Sequence, residues 1–200
     1  MGRPVTGGTD DSKLLINGGP PFKRLASSDA HTKGAVHAVA YSGTVVTSVG
    51  ADKSVCLLDG KTLELIVRKE RVHDASIYAC AWSLDNKYLL TCSADGTNKL
   101  LQVGVASLEV VHTWNVSSRL SSSSDKVPIG GMQLGCTFVK DDVPVTVSMN
   151  REIAILPKPL MLGGSGVEKE RILTGHQAPI AALAVSDKVF YTADMDGVIV

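Results

Sequence analysis

One pattern occurs four times along this sequence. Each copy has a turn of small residues, an alternating apolar run, a short polar turn that ends in Asp or Asn, and another apolar run. The clearest copy extends from His73 to Gly96, and the others cover residues 31–52, 176–196 and, in a degenerate form, 133–150. Alternating apolar runs bounded by turn residues are typical of strands. The sequence therefore predicts a series of small β-sheets, one for each repeat.

A strand-rich repeat of roughly 40–45 residues is the signature of a WD40 β-propeller, in which each blade is a four-stranded antiparallel sheet. We expect an all-β WD40 β-propeller fragment with about three full four-stranded blades and two partial blades. The expected segments are a partial blade and linker at 1–29, a blade at 30–70, a blade with a Ser-rich loop at 71–126, a degenerate blade at 127–174 and a partial blade at 175–200. Because propellers close with about four to eight blades, we expect the chain to be a piece of a longer protein.

Composition argues against several classes of function. The chain carries 20 Lys and Arg and 20 Asp and Glu residues. A formal net charge of zero gives no bulk attraction to nucleic acid or to an anionic membrane. No window reaches the ~18 apolar residues of a membrane span, and the N-terminus lacks the apolar segment of a signal peptide. The four cysteines have no CxxC spacing, so we expect buried thiols, a reducing cytoplasmic compartment, no metal and no cofactor.

Three histidines each precede the first apolar run of a repeat. We expect each to form a structural set with hydroxyl and carboxyl groups of its own blade, which satisfies buried polar atoms. The expected sets are His31 with Asp52 and with Ser48 as a stand-in for the usual Ser, His73 with Ser93 and Asp95, and His176 with Asp196, where Asp194 occupies the Ser position. Their composition resembles a hydrolase triad, but a triad needs one convergent cleft and these sets occur once per blade. We therefore predict no catalytic residues, no small-molecule substrate and no enzymatic activity.

Two other motifs have simple explanations. Asp141 and Asp142 are adjacent in an expected hairpin turn, where turn formation accounts for both. The run from Gly163 to Gly166 lacks the Lys-Ser or Lys-Thr of a phosphate-binding loop, which argues against nucleotide binding.

Several longer segments are similar to one WD40 family. They are residues 7–11, 17–23, 59–62, 75–83, 93–97, 133–138 and 145–148. In this order they resemble the actin-interacting protein 1 family, and the segments Gly-Pro-Pro-Phe-Lys (19–23) and Gln-Leu-Gly-Cys (133–136) are the most specific. The resemblance implies two joined seven-bladed propellers that bind actin filaments decorated with cofilin and promote their disassembly. It also implies a cytoplasmic, cytoskeletal location and places the chain in the later part of the first propeller.

A candidate partner surface lies around the Pro-Pro segment. Pro20 and Pro21 remove two backbone donors, so this segment must lie in a loop or at a blade edge, where a rigid bend between blades is the simpler explanation. An aromatic and a cation on such a loop are good binding anchors. The candidate contacts are Asp10, Asp11, Phe22, Lys23 and Lys33. A generic WD40 scaffold that serves another multiprotein complex is the alternative function.

Overall fold

The computed structural model describes residues 5–8, 11–21, 23–116, 128–166, 168–186 and 189–200. These residues form five antiparallel sheets. The leading sheet contains β1 (Val5–Gly7), β2 (Leu14–Asn17) and β3 (Arg24–Ser28). Blade 1 contains β4 (Val36–Tyr41), β5 (Val45–Gly50), β6 (Val55–Asp59) and β7 (Leu65–Lys69). Blade 2 contains β8 (Ile77–Trp82), β9 (Tyr88–Ser93), β10 (Thr97–Val103) and β11 (Leu108–Asn115).

The remaining strands form one more complete sheet and one smaller sheet. Blade 3 contains β12 (Gln133–Val139), β13 (Val143–Ser148), β14 (Ile153–Ile155) and β15 (Arg171–Leu173). The trailing sheet contains β16 (Ile180–Val185) and β17 (Phe190–Asp194). Among the described residues, the only helical segments are 3-10 turns at Ile129–Gly131, Lys140–Asp142 and Leu160–Leu162. The predicted fold class, an all-β protein with three full sheets and two partial ones, is confirmed. The Ser-rich loop falls on residues 117–127, outside the described residues.

In the described part of the chain, the core consists of separate apolar clusters, one at each boundary between consecutive sheets. Neighbouring residues of a middle strand serve opposite boundaries: Leu89 packs toward blade 1, whereas Leu90 packs toward blade 3. Leu101 and Leu100 divide in the same way. This division follows from the two-residue period of a strand, which turns successive side chains to opposite faces. Middle strands are therefore apolar on both faces, and each fully buried Leu contributes about 2 kcal/mol.

A β-bulge recurs at the same place in four sheets. The pairing of the first strand with the second shifts register after the first residue of each first strand: Val36, Ile77, Gln133 and Ile180. An extra residue at such a point bends the strand and increases its twist. The bulge also sets which residues of the second strand lie level with the loop that precedes the first strand.

The loops lie at two opposite edges of the sheets. Because consecutive strands are antiparallel neighbours, the turns from second to third strand share one edge with the connections between sheets. We call this the upper edge. In the four-stranded sheets, turns from first to second strand and from third to fourth strand lie at the lower edge. In the three-stranded leading sheet, β3 runs into the connection to β4, so the β2–β3 turn lies at the lower edge and the β1–β2 turn at the upper edge.

Candidate functional site

Blade 1 holds a buried set of polar side chains at the upper edge. His31 Nδ1 lies 2.9 Å from Asp52 Oδ1, and His31 Nε2 lies 2.9 Å from Ser48 Oγ. Burial has the largest single effect on His31 and would lower its pKa, but the hydrogen bonds and charge interactions with Asp52 and Cys56 together outweigh burial and raise the pKa to about 9. Burial likewise has the largest single effect on Asp52 and opposes its ionisation, yet the hydrogen bonds from His31 and Ser54 and the charge of His31 together hold the pKa of Asp52 well below the ordinary value. The two side chains therefore form a buried ion pair at neutral pH.

Arg68, on the outer strand of blade 1, completes this set. Its Nη2 donates to Asp52 Oδ2 at 3.2 Å and to Thr32 Oγ1 at 3.0 Å, and its Nη1 donates to the carbonyl of Ala30 at 3.1 Å. Sequence reasoning missed Arg68, because it lies 16 residues from Asp52 and 38 from Ala30 along the chain. A run of four charged residues at 68–71, three of them basic, is the one signal that marks this position.

The corresponding set of blade 2 differs from the prediction in its hydroxyl group. His73 Nδ1 lies 3.0 Å from Asp95 Oδ2, as expected, but His73 Nε2 lies 2.9 Å from Thr91 Oγ1. Ser93, the predicted partner, instead donates to the carbonyl of Ser76 at 2.9 Å. Thr91 and Ser93 point to the same face of β9, since they are two residues apart. The bulge after Ile77 brings Thr91 level with the imidazole.

The trailing sheet uses a different carboxylate from the predicted one. His176 Nδ1 lies 2.9 Å from Asp194 Oδ2, and His176 Nε2 lies 2.7 Å from Thr192 Oγ1. Asp196 instead donates its backbone N–H to Asp194 Oδ1 at 3.1 Å. The hydrogen bond from His176 keeps the pKa of Asp194 below its ordinary value. The expected pairing of His176 with Asp196 is therefore wrong, and Asp194 does not replace the hydroxyl.

Blade 3, which lacks the histidine, is joined to blade 2 by amide side chains. Asn98 Nδ2 on β10 lies 3.4 Å from Gln133 Oε1 and 3.5 Å from Thr146 Oγ1. Gln133 Nε2 in turn donates to the carbonyl of Gly131 at 2.9 Å. All three side chains are buried. Thr146 stands where Thr91 stands in blade 2, so its hydroxyl faces an amide of the neighbouring blade instead of an imidazole.

The geometry argues against acyl-transfer chemistry at these sets. Blade 2 does align a hydroxyl, an imidazole and a carboxylate, in the order Thr91, His73 and Asp95. The Thr91 side chain is inaccessible to solvent, and its hydroxyl also lies 3.3 Å from the carbonyl of Lys99. A nucleophile must reach its substrate, so this arrangement stabilises the blade. Among the described residues, no cluster of His, Cys, Asp and Glu is arranged to hold a metal ion.

The predicted partner residues do not form one surface. Asp11 lies in the turn between β1 and β2, and Lys33 lies in the connection to β4, so both belong to the upper edge. Ser12 Oγ donates to the carbonyl of Gly34 at 2.5 Å, which joins these two loops. Lys23 lies in the turn between β2 and β3, at the lower edge. The expected single patch is therefore divided, while Asp10 and Phe22 lie outside the described residues.

Comparison with known proteins gives matches over part and over nearly all of the chain. Residues 66–100 match the family described as "WD domain, G-beta repeat". "Actin-interacting protein 1" of Drosophila melanogaster is 32% identical over 207 residues, which cover 98% of this chain. "WD repeat-containing protein 1" of Gallus gallus is 32% identical over 95% of this chain. The chain belongs to the actin-interacting protein 1 family of WD40-repeat proteins.

Within this family the chain accounts for part of the length. It spans 30% of the Drosophila melanogaster and of the Gallus gallus relatives. Among solved structures, the WD40 beta propeller domain of Doa1 matches with a TM-score of 0.72 and 16% identity, covering 99% of this chain and 59% of that one. The likeness to Doa1 establishes the fold alone. In the part of the chain that the structure describes, no helix has the length and apolar character needed to cross a bilayer.

Proposed function

We propose that this chain takes part in binding actin filaments decorated with cofilin and in promoting their disassembly. The observation that carries the proposal is the relationship to actin-interacting protein 1, at 32% identity over 98% of the chain. A cytoplasmic location at the actin cytoskeleton follows from the same proposal.

The distribution of polar groups supports a role in binding rather than in catalysis. The histidines that precede the blades are buried and hydrogen-bonded within their own sheets. The turns, by contrast, expose side chains such as Lys23, Lys33 and Asp11. A rigid propeller that presents loops is suited to a protein partner. We therefore propose an interaction protein without enzymatic activity or cofactor, and without nucleic acid, membrane or small-molecule ligands.

Phe22 and Lys23 are the proposed anchors. Lys23 lies in the tight turn from β2 to β3, where its carbonyl accepts a hydrogen bond from Gly18 N at 2.8 Å. A side chain on a backbone that is already held in place loses less conformational entropy on binding than one on a free loop. Because Lys23 is at the lower edge, we propose that this edge faces the filament.

A generic WD40 scaffold remains the second candidate. The observation that favours it is the match of residues 66–100 to the WD domain, G-beta repeat family, a match that specifies no particular partner. A scaffold of this kind would present the same loops to a different complex and would have no dependence on cofilin.

Co-sedimentation with actin filaments distinguishes the two candidates. The chain is mixed with filaments in the presence and absence of cofilin, and the pelleted fraction is measured. We expect pelleting that requires cofilin and faster filament loss in a parallel light-scattering assay. Equal, weak pelleting in both conditions would contradict the proposal and favour the scaffold. A variant with Thr113→Ala, on the exposed outer strand of blade 2 and away from the lower edge, serves as a surface control.

A further inference from the structure

An open cleft of about 490 Å³ lies at the upper edge between the connection to β4 and the connection from β7 to β8. We call it the blade 1 cleft. Its charged lining residues are Lys33, Asp52, Arg68, Glu70 and Arg71. Lys33 and Arg71 are exposed, whereas Arg68 is largely buried and fixed by the contacts described above. The cleft thus combines two accessible cations with one immobilised guanidinium.

Asp52 does not neutralise the exposed cations Lys33 and Arg71, because its carboxylate is already fully hydrogen-bonded within blade 1. Oδ1 accepts hydrogen bonds from His31 Nδ1 and from the backbone and hydroxyl of Ser54, at 2.7–3.2 Å. Oδ2 accepts from the backbone N–H of Thr32 and from Arg68. Asp52 thus shares one negative charge between two cations, His31 and Arg68, and the three side chains together carry one net positive charge. A buried, fully bonded carboxylate of this kind cannot turn outward to a second partner.

Glu70 is the one remaining acid that lines the cleft. Its carboxylate lies 3.6 Å from Arg68 Nη2, and its side chain is 70% exposed. Within the described residues, neither Lys33 nor Arg71 has an acidic partner within 4.0 Å. The balance of accessible charge in the cleft is therefore positive. An exposed ion pair such as that of Glu70 contributes little and is easily exchanged for another carboxylate.

Blade 2 shows that this charge is not a general property of the repeat. Ala75 stands two residues after His73, where blade 1 has Lys33 two residues after His31. Thr113 pairs with Lys99 on the outer strand, where Arg68 pairs with Cys56 in blade 1. The blade 2 cation, Lys99, is turned inward and donates to the carbonyl of Val72 at 2.7 Å. The cations of the blade 1 cleft are therefore not needed to build a blade.

We propose that the blade 1 cleft is a docking site for an acidic segment of a protein partner, with Lys33 and Arg71 as its exposed contacts and Arg68 as a fixed guanidinium. A guanidinium held by its own blade is pre-organised to pair with a carboxylate. The proposal rests on the proposed function in taking a protein as the partner. It differs in naming the upper edge and the chemistry of the segment that binds there.

The test is direct binding of a short fluorescein-labelled peptide in which Glu alternates with Gly, measured by fluorescence anisotropy. The 200-residue chain is compared with the double variant Lys33→Glu/Arg71→Glu. The matched control is Lys61→Glu/Lys140→Glu, which makes the same change of charge at exposed turns of the lower edge. We expect the cleft variant to bind at least about tenfold more weakly, a factor equivalent to about 1.4 kcal/mol. The control variant should bind as the parent chain does, and added salt should weaken binding.

Two results would overturn the proposal. One is equal weakening by the cleft variant and the control variant, which would indicate a general charge effect. The other is binding of inorganic polyphosphate or of the same peptide with Gln in place of Glu, without binding of the Glu peptide. Because the peptide assay contains no filament, its result tests the blade 1 cleft and does not test the proposed function. Peptide binding without cofilin-dependent pelleting would retain the cleft and remove actin as the partner.

Discussion

His73 Nε2 lies 2.9 Å from Thr91 Oγ1 at the upper edge of blade 2, and both side chains are buried. The imidazole depends on this hydroxyl, because Ser93 is bonded to backbone carbonyls instead. Thr91→Val keeps the shape of the side chain but leaves one ring nitrogen without a partner. We expect a loss of about 1–3 kcal/mol in the free energy of unfolding, measured by urea denaturation.

The control for this substitution is Thr113→Val on the exposed face of β11. A surface change of the same chemistry should alter stability by less than about 0.5 kcal/mol. If both variants lost the same free energy of unfolding, the hydrogen bond between His73 and Thr91 would make no specific contribution to stability.

The ion pair of His31 and Asp52 makes stability depend on pH in a defined direction. Because the pKa of His31 rises from 6.5 to about 9 in the folded state, the folded chain holds a proton that the unfolded chain has lost. The contribution of the ion pair to the free energy of unfolding is complete below pH 6.5 and disappears as the pH rises through 9. We expect the free energy of unfolding to fall by at most about 3 kcal/mol across this window.

His31→Gln tests this assignment, since it should abolish the decline between pH 6.5 and 9. His112→Gln is the matched control. Burial lowers the pKa of His112, so His112 affects the free energy of unfolding only below about pH 6.5, where it reduces stability as the pH falls. The decline between pH 6.5 and 9 should therefore persist in His112→Gln. Titration of the His31 ring by NMR gives the pKa itself, and a value near 6.5 would refute the ion pair. Asp52, whose pKa is lowered, instead withdraws its contribution as the pH falls below about 4.

Because the candidate partner residues are divided between the two edges, we expect substitutions at the two edges to weaken filament binding to different extents. Phe22→Ala/Lys23→Ala should weaken association with cofilin-decorated filaments about five- to thirtyfold, the usual cost of removing binding anchors. Lys33→Ala, at the opposite edge, should change it by less if one edge faces the filament. Filament co-sedimentation combined with a thermal melt measures both. Unchanged binding of the double variant with an unchanged melt would remove this segment from the site.

Asn98 and Gln133 should behave as a coupled pair across the boundary of blades 2 and 3. Each single substitution to Leu leaves the other amide buried without its partner, whereas the double substitution removes both polar groups together. We expect the double variant to be more stable than the sum of the single losses predicts, by about 1 kcal/mol. A thermodynamic cycle from urea denaturation gives this value, and exact additivity would show that the amides do not interact.

Sequence reasoning succeeded where a feature depends on local spacing. The pairs of His31 with Asp52 and of His73 with Asp95 are separated by 21 and 22 residues and were both predicted. It did not distinguish Thr91 from Ser93, or Asp194 from Asp196. Members of each pair are two residues apart, and their height relative to the histidine depends on the bulge in the first strand. That bulge is fixed by pairing between strands and by tertiary packing rather than by a local residue pattern.

Arg68 and Asn98 were missed for a different reason. Arg68 reaches Asp52 from the outer strand of its blade, and Asn98 contacts Gln133 in the next blade. Such contacts depend on how strands are placed side by side and how sheets twist against one another. A repeat pattern gives the order of the strands but not these angles.

Among the described residues, each apolar cluster joins two consecutive sheets, and this arrangement has a consequence for how the molecule opens. Because each cluster packs between two neighbouring sheets, local unfolding at one boundary directly exposes apolar side chains of the two sheets that share it. Backbone amides in the middle strands of blade 2, enclosed by clusters on both faces, should exchange with deuterium more slowly than those of the trailing sheet. Exchange should then spread along the series sheet by sheet instead of in one concerted step.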